Sequence, residues 1–343
     1  MGYTLLRMDD TARLLAIIDR FAGARVVLFG DLVLDRFILG TPKRISREAP
    51  VIILRHEAQR DVPGGGANAL ANIAALGAKV TALAVVGDDE PGAALRGALA
   101  EREVDDSDIV TVPGYRTPTK VRILGGGPSS LKHQVARYDI EDQLAADGAW
   151  RTEFDRRLAA AVAGAGAVAI SDYGYGCAAP EVTAAITGAA EKSWICLDSR
   201  YRIGAFGGVS AATPNLEELE AFCGRRLVGD DDVAAGAEEL RRALGARFVL
   251  ATRGNRGMTL VEAAGARRIP VFGSDQVADV TGAGDTVLAV LTVALAAGAT
   301  PFDAARLANV AAGLVVMKLG TATVSAPELK MAVSAAGGQV DGP

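Results

Sequence analysis

The sequence predicts an α/β fold: a mostly parallel central sheet flanked by helices, with a small β-sheet lid. Three observations carry this. Short β-branched or apolar runs alternate with Ala- and Leu-rich helical stretches, the order of successive βα units. The strand candidates are continuously apolar, as strands buried on both faces are. Two stretches, 37–60 and 115–138, break the alternation and carry strand-like patterns of their own.

Taken in order, Leu14, Leu15, Ile17, Ile18 and Phe21 recur at helical spacing. Asp9, Asp10 and Arg13 interrupt any apolar run there, so the segment reads as a helix and not as a signal peptide. A buried strand follows at 25–29. A helix at 68–76 precedes a strand at 80–86 and a helix at 92–102. Further buried strands fall at 167–170, 194–197 and 248–251. Within the two exceptional stretches, Val51-Ile52-Ile53-Leu54-Arg55 and Lys120-Val121-Arg122-Ile123-Leu124 point to antiparallel strands outside the main sheet. They are expected to form one small sheet over the core. The α/β core then takes 1–35, 62–112 and 140–335, and the lid takes 36–61 and 113–139. The Ala/Gly-rich end is expected to fray after Glu328, leaving 336–343 as a flexible tail.

Composition narrows the function. Half of the 343 residues are hydrophobic and 22% are charged, a core-forming balance. A net charge of −5 argues against a nucleic-acid partner, which needs clustered Lys and Arg. The longest apolar stretch, 287–299, is shorter than the roughly 18 residues of a membrane span. A cytoplasmic protein with no membrane partner is expected. The three cysteines, Cys177, Cys196 and Cys223, form no close pair, and two histidines, His56 and His133, cannot make a multi-His metal site.

Three motifs carry chemistry. The first is Asp279-Val280-Thr281-Gly282-Ala283-Gly284-Asp285-Thr286, opening an apolar helical run. Its glycines allow a tight turn of closely spaced N–H groups at a helix N-terminus, where anions are favoured. Asp285 beside such an anion hole is either a proton acceptor for an attacking hydroxyl or a helix cap. The second is Pro63-Gly64-Gly65-Gly66-Ala67-Asn68, which allows close backbone approach to a ligand. Asn68 can donate to and accept from sugar hydroxyls, unless this is only a loop-to-helix turn. The third is Thr213-Pro214-Asn215-Leu216-Glu217-Glu218. Asn215 and Glu218 share the first helical turn, as a capping box or as a holder of Mg²⁺ and its waters near phosphates. Neither GxxxxGK[ST] nor GxGxxG occurs, so a Walker loop is absent and a nicotinamide-dependent oxidoreductase is poorly supported.

In this order the motifs resemble those of the ribokinase-like (PfkB) carbohydrate kinases, from about residue 25 to about residue 328. The segments 279–286, 64–77, 215–218 and 250–258 are similar to the family's signatures. One branch fits best, the D-glycero-D-manno-heptose 7-phosphate kinases of ADP-heptose synthesis. The likeness lies in Gly30-Asp31, Leu34-Asp35-Arg36, residues 44–51, Ser171-Asp172-Tyr173 and residues 318–325. Tyr175 departs from a branch lysine, and Asp198-Ser199-Arg200 from D-P-K; Arg200 and Arg202 are nearby cations that could compensate.

The resemblance implies an ATP-dependent sugar kinase with Mg²⁺, and K⁺ in some relatives. It implies Asp285 as base, and backbone N–H groups of Gly282, Ala283 and Gly284 around the transferred phosphoryl group. Asp31, Asp35, Gly65, Asn68 and Asp172 would contact sugar. Arg44, Lys120, Arg122 and Arg137 in the lid would hold a distal phosphate. Asn215 and Glu218 would organise Mg²⁺, and Asp279 a monovalent cation. Thr252, Gly254, Gly257, Thr281 and Asn309 would line the nucleotide. A homodimer through the lid is expected. Because the chain stops near the end of the kinase, it would supply phosphorylation without the nucleotidyltransferase domain of bifunctional relatives. The alternatives are a family kinase for ribose, fructose, a ketodeoxy acid or a nucleoside, and a non-catalytic sugar- or nucleotide-binding regulator.

Overall fold

The structure is a computed structural model and describes residues 8–127, 132–187, 193–273, 279–318 and 320–337. The lid residues 128–131, Leu319 and the tail 338–343 therefore lie outside the described residues.

Helix α1 (Met8–Ile18) leads into β1 (Arg25–Gly30), and two long strands, β2 (Leu32–Ile45) and β3 (Ile52–Gly65), form a hairpin. The chain returns through α2 (Gly66–Ala75), β4 (Lys79–Gly87), α3 (Glu90–Ala100) and β5 (Val110–Val112). A second excursion comprises β6 (Thr119–Gly125) and β7 (His133–Ile140). Next come α4 (Trp150–Val162), β8 (Ala167–Asp172), α5 (Pro180–Thr187), β9 (Trp194–Ser199), β10 (Ala211–Ala212), α6 (Leu216–Cys223) and α7 (Asp230–Leu244). The chain closes with β11 (Phe248–Thr252), β12 (Met258–Glu262), β13 (Gly265–Ile269), α8 (Ala283–Ala296), α9 (Pro301–Val315) and α10 (Ala326–Gly337).

The main sheet has nine strands in the order β13-β12-β11-β10-β9-β8-β1-β4-β5, parallel except at the β11–β12–β13 edge. Side chains alternate across it with a period of two. Val26 and Leu28 of β1 pack with α1, α2, α8, α9 and α10, whereas Val27 and Phe29 pack with α4, α6 and α7. Helix α8 is apolar all round and buried from Asp285 to Leu295, so the sheet and neighbouring helices fix its position completely. This delivers its N-terminus to the carboxyl edge of the sheet, where ligands of open α/β sheets bind.

The second sheet has the order β3-β2-β6-β7. The expectation of an antiparallel lid is corrected in one place: β2 and β6 run parallel, with Leu34 beside Thr119. The stretch from α2 to β5 lies between them in sequence. Both strands therefore leave the core in the same direction, and a parallel pair needs such a crossover. Arg36 ties this sheet to the core, donating to Asp61 of β3 at 2.8 Å and to Glu90 of α3 at 2.7 Å. The carboxylate of Asp89 caps α3 and also accepts from the Thr117 amide and hydroxyl.

The expected fraying after Glu328 is also corrected. Helix α10 continues to Gly337 because Leu329, Val333 and Ala336 are buried, giving the Ala-rich segment an apolar stripe to pack. Among the described residues, no helix is long and apolar enough to cross a membrane.

Candidate active site

Asp31, Asp172, Asp198, Asn215 and Thr252 all sit at the carboxyl ends of parallel strands or just beyond them. All of these but Asp31 line a cleft of roughly 570 Å³, together with Tyr173, Arg200, Glu218, Gly282, Gly284 and Asp285 among others. A second cavity of roughly 340 Å³ adjoins it, sharing Thr252, Val280 and Gly284. That cavity is walled by Met258, Val271, Phe272, Val287, Ala312 and Val316, with Gly254, Gly257 and Asn309 at its polar positions.

The tight turn before α8 has the shape its glycines allow. Gly282 is the N-cap residue, with φ of 79°. A Cβ there would overlap the amide of Asn68. Asp285 is not the cap, because no side chain caps this helix. Its carboxylate is held instead by side chains from two other parts of the chain. Asn68 Nδ2 donates to Oδ2 at 2.9 Å, and the Tyr173 hydroxyl donates to Oδ1 at 2.9 Å. Burial pushes the Asp285 carboxyl up to about 6; the two donors pull against that, Asp35 adds to it, and Lys120 opposes it. Such a group is largely ionised at neutral pH yet basic enough to take a proton. One detail differs from expectation: the Ala283 amide is spent on the Val280 carbonyl at 3.3 Å.

Asn68 is itself held. Asn72 Nδ2 donates to its carbonyl at 3.0 Å, and Asn72 Oδ1 accepts from Thr286 and from the Val324 amide, both at 3.3 Å. Two motifs far apart in sequence and the loop 320–325 thus share one buried network. Gly65, with φ of 54°, presses against Val33 and the ring of Tyr173, leaving no room for a side chain.

The structure redistributes several expected sugar contacts. Asp31 is buried, and its carboxylate accepts three backbone N–H bonds of 2.9 Å, from Tyr173, Tyr175 and Cys177. Burial nevertheless raises its carboxyl to about 6. It organises a loop and is not free for sugar. Asp172 lines the cleft but is engaged by Arg202 at 2.8 Å, Ser199 at 2.6 Å and the Gly174 amide at 3.1 Å. Arg202 is thereby committed to Asp172 through Nε and Nη2. Arg200 lines the cleft with no ion pair among the described residues, stacked on the exposed Tyr201 at 5.7 Å. The Tyr175 hydroxyl turns to Glu141 at 2.8 Å, and Tyr175 does not line the cleft.

The four lid cations separate. Arg122 is paired with Asp35 at 2.5 Å and Arg137 with Asp139 at 2.6 Å. Lys120 has no carboxylate partner among the described residues and sits 4.9 Å over the Tyr173 ring. Burial lowers its pKa, with Asp35 acting in the other direction. Arg44 is exposed and lies nine residues beyond Asp35 on β2, roughly 30 Å along the strand. It does not meet the cleft of its own chain.

On the other wall, Asn215 and Glu218 form a full capping box, each side chain bonding the other's amide at 2.9 Å. The pair is a capping box and also lines the cleft. Asp198, given no site role by the sequence, faces Glu218. Burial raises the Asp198 carboxyl well above its usual range, and the charges of Glu218 and Asp285 add to this. Among the described residues no cluster of three or more His, Cys, Asp or Glu could hold a metal alone. Two crowded carboxylates beside an open cleft fit Mg²⁺, which takes one or two protein carboxylates and completes its shell with water and phosphate. Asp279 accepts from the Thr281 and Gly320 amides at 2.9 and 3.1 Å. Burial alone would raise it, but these amides hold it below the usual carboxylate range. The Thr281 amide is used in the same contact, so both residues tie the turn to the loop at Gly320.

Sequence comparison places this geometry in a class. The profile of the pfkB family carbohydrate kinases matches residues 24–329. The chain belongs to this family and is an ATP-dependent sugar kinase. It is 41% identical over 341 residues to the protein named Bifunctional protein HldE of Caulobacter vibrioides, covering 97% of this chain and 68% of that one. It is 39% identical over 315 residues to the Bifunctional protein HldE of Mesorhizobium japonicum, covering 91% of this chain and 62% of the relative's length. The fold is that of phosphofructokinase-2 from Escherichia coli in complex with substrates and products, with a TM-score of 0.73, 22% identity, and 91% and 99% of the two chains covered. It is also that of Arabidopsis thaliana ribokinase complexed with ribose and ATP, with a TM-score of 0.69, 19% identity, and 92% and 98% covered.

Proposed function

We propose that the chain transfers the γ-phosphoryl group of ATP to the anomeric hydroxyl of D-glycero-β-D-manno-heptose 7-phosphate, giving the 1,7-bisphosphate. The observation that carries the kinase chemistry is the buried Asp285 carboxylate, oriented by Asn68 and Tyr173 at the mouth of the α8 N-terminus. The heptose rests on the segments at 30–36, 44–51, 171–173 and 318–325, together with the relatives named above.

In this reading the nucleotide base and ribose occupy the apolar cavity with Thr252, Gly254, Gly257 and Asn309. The phosphates run past Gly284 toward Asp285. The sugar hydroxyl donates its proton to an Asp285 oxygen as its oxygen forms a bond to the γ-phosphorus; the bond to the β-phosphate oxygen breaks and ADP leaves. N–H groups of the α8 first turn stabilise the transferred group's oxygens. Glu218, with Asp198, would hold Mg²⁺. When bound, Mg²⁺ supplies charge neutralisation between the β- and γ-phosphates. Asn68 acts on the sugar through the Asp285 carboxylate that it orients, Asp35 offers a sugar hydroxyl the oxygen that Arg122 does not take, and Lys120 is the lid cation facing the substrate. Exposed Ile45, Val51, Ile52, Val135 and Tyr138 on the lid support a homodimer through that sheet. ATP as donor goes with a cytoplasmic enzyme.

A kinase for another family sugar is the second reading. It is favoured by one observation: Arg122 and Arg137 already have carboxylate partners, which leaves less positive charge for a distal phosphate. The test is ADP release from Mg-ATP with D-glycero-β-D-manno-heptose 7-phosphate, run beside ribose, fructose, fructose 6-phosphate and 2-keto-3-deoxygluconate. Turnover confined to the heptose phosphate supports the first reading. Preference for another sugar replaces it with the second, and no turnover with any would point to a binding protein.

A further inference from the structure

We infer that Tyr173 is a positioning residue for Asp285, and that the loop following β8 is hung from Asp31 in order to hold it there. This rests on Asp285 being the base.

A carboxylate held at one oxygen can still rotate about its terminal bond. Asn68 of α2 fixes Oδ2, and the Tyr173 hydroxyl, from the loop after β8, fixes Oδ1. Each oxygen retains acceptor capacity for an incoming hydroxyl. The plane of the carboxylate is therefore set before substrate arrives, which is what an oriented base needs.

Tyr173 is fixed in turn on three sides. Lys120 Nζ lies 4.9 Å from the ring centroid. Gly65 abuts the ring edge, where even a Cβ would come within 3.2 Å of Cε2. The backbone is clamped by Asp31, whose two oxygens take the amides of Tyr173, Tyr175 and Cys177. Asp172 adds the Gly174 amide. Residues 173–177 belong to no helix or strand. An irregular loop needs some partners for its amides, but three converging on one buried carboxylate is a costly arrangement for turn-making alone, since burial opposes the charge. Its result is to place one phenol on one carboxylate.

The charged and titratable groups around Asp285 come from every neighbouring element: Asp35 on β2, Lys120 on β6, Tyr173 after β8, Asp198 and Arg200 at and beyond the end of β9, and Glu218 on α6 behind Asp198. Tyr173→Phe removes one oxygen and leaves these groups and the ring packing in place. It deletes a donor to the ionised carboxylate, so the carboxyl should titrate at higher pH.

The test has two readouts on the full chain. In ¹³C-Asp-labelled protein, the Asp285 carboxyl resonance, identified by its loss in Asp285→Asn, should titrate roughly half to one pH unit higher in Tyr173→Phe. With Mg-ATP and D-glycero-β-D-manno-heptose 7-phosphate, kcat at neutral pH should fall on the order of 10-fold, with KM for ATP unchanged. Asp31→Asn should move both readouts in the same direction through the loop. An unmoved resonance in Tyr173→Phe overturns the inference, and so does a moved resonance with wild-type kcat. Full turnover in Asp285→Asn would instead remove the base and with it the reading on which this depends; loss of turnover there, with Tyr173→Phe unaffected, sinks the positioning role alone.

Discussion

Asn68, in the first turn of α2, and Asp285, in the first turn of α8, meet at 2.9 Å although 217 positions separate them. The contact joins two glycine-rich turns and aims a buried carboxylate into the cleft. A cap for α8 would have needed only the local turn; an amide delivered from another helix points to work done on the carboxylate.

Asp285→Asn should lower turnover by on the order of 10² to 10⁴, the span for a lost general base. ATP binding, followed by nucleotide-induced thermal stabilisation, should persist because the nucleotide cavity is untouched. Near-normal turnover would exclude Asp285 from the proton transfer.

The same substitution should stabilise the fold at neutral pH. Burial raises the Asp285 carboxyl from its ordinary 3.8 to about 6. Between these values the folded state binds more protons than the unfolded one, so stability falls as pH rises through that window. Above about 6 the full cost is present, on the order of 1–3 kcal/mol. Asp285→Asn should therefore raise Tm at pH 8 relative to the parent and lose that advantage at pH 4.5. Equal differences at both pH values would contradict the buried ionised carboxylate.

Activity should follow the same group. If the ionised form is the base, kcat/KM rises with pH through about 6 and levels above it. A rate profile flat from pH 5 to 8 would assign the proton elsewhere.

Most of this architecture was legible because its signals are local. Apolar runs marked the buried strands, and Gly282 with Gly284 marked the turn before α8. The parallel pairing of β2 with β6 was not, since register between distant strands is set by where each leaves the core. Helix α10 was missed because small residues such as Ala and Gly read as tail until a partner surface is known. At the site, the motif positions could be named, but not which atoms were already spent. Asp31 looks like a free sugar ligand in sequence, yet three amides occupy it. Asp198 and Tyr173 stood in segments that could be compared with relatives, but nothing in them gave either a role; only the sheet edge brings them to Glu218 and Asp285.

Gly282→Ala should be a strong loss of function with modest loss of stability. The residue sits at φ of 79°, a region that costs an L-residue about 1 kcal/mol or more, and its Cβ would push on the Asn68 amide. Displacing Asn68 by a few tenths of an ångström disturbs the Asp285 carboxylate without opening the core. Turnover should fall by at least 10-fold while Tm drops by only a few degrees. Matched losses of activity and of folded protein would show that the glycine serves the fold alone.

The lid cations make the sharpest test of what the substrate carries. Lys120 lies over the ring of Tyr173, a cleft residue, with no carboxylate partner among the described residues, whereas Arg44 lies roughly 30 Å farther out along β2. A hydrogen bond to a charged group is worth about 1.5–3 kcal/mol, or roughly 10- to 100-fold in affinity. Lys120→Met should therefore raise KM for a phosphorylated sugar by that factor, and Arg44→Met should leave it within about 2-fold. Arg122→Met is the less clean probe, because it strands the buried Asp35 and its effect would mix binding with an uncompensated charge. An unphosphorylated substrate predicts a small change at Lys120 as well, so an unaltered KM there would favour the second reading. A large effect at Arg44 could not come from the same chain's cleft and would require the lid tip of a second copy to reach it.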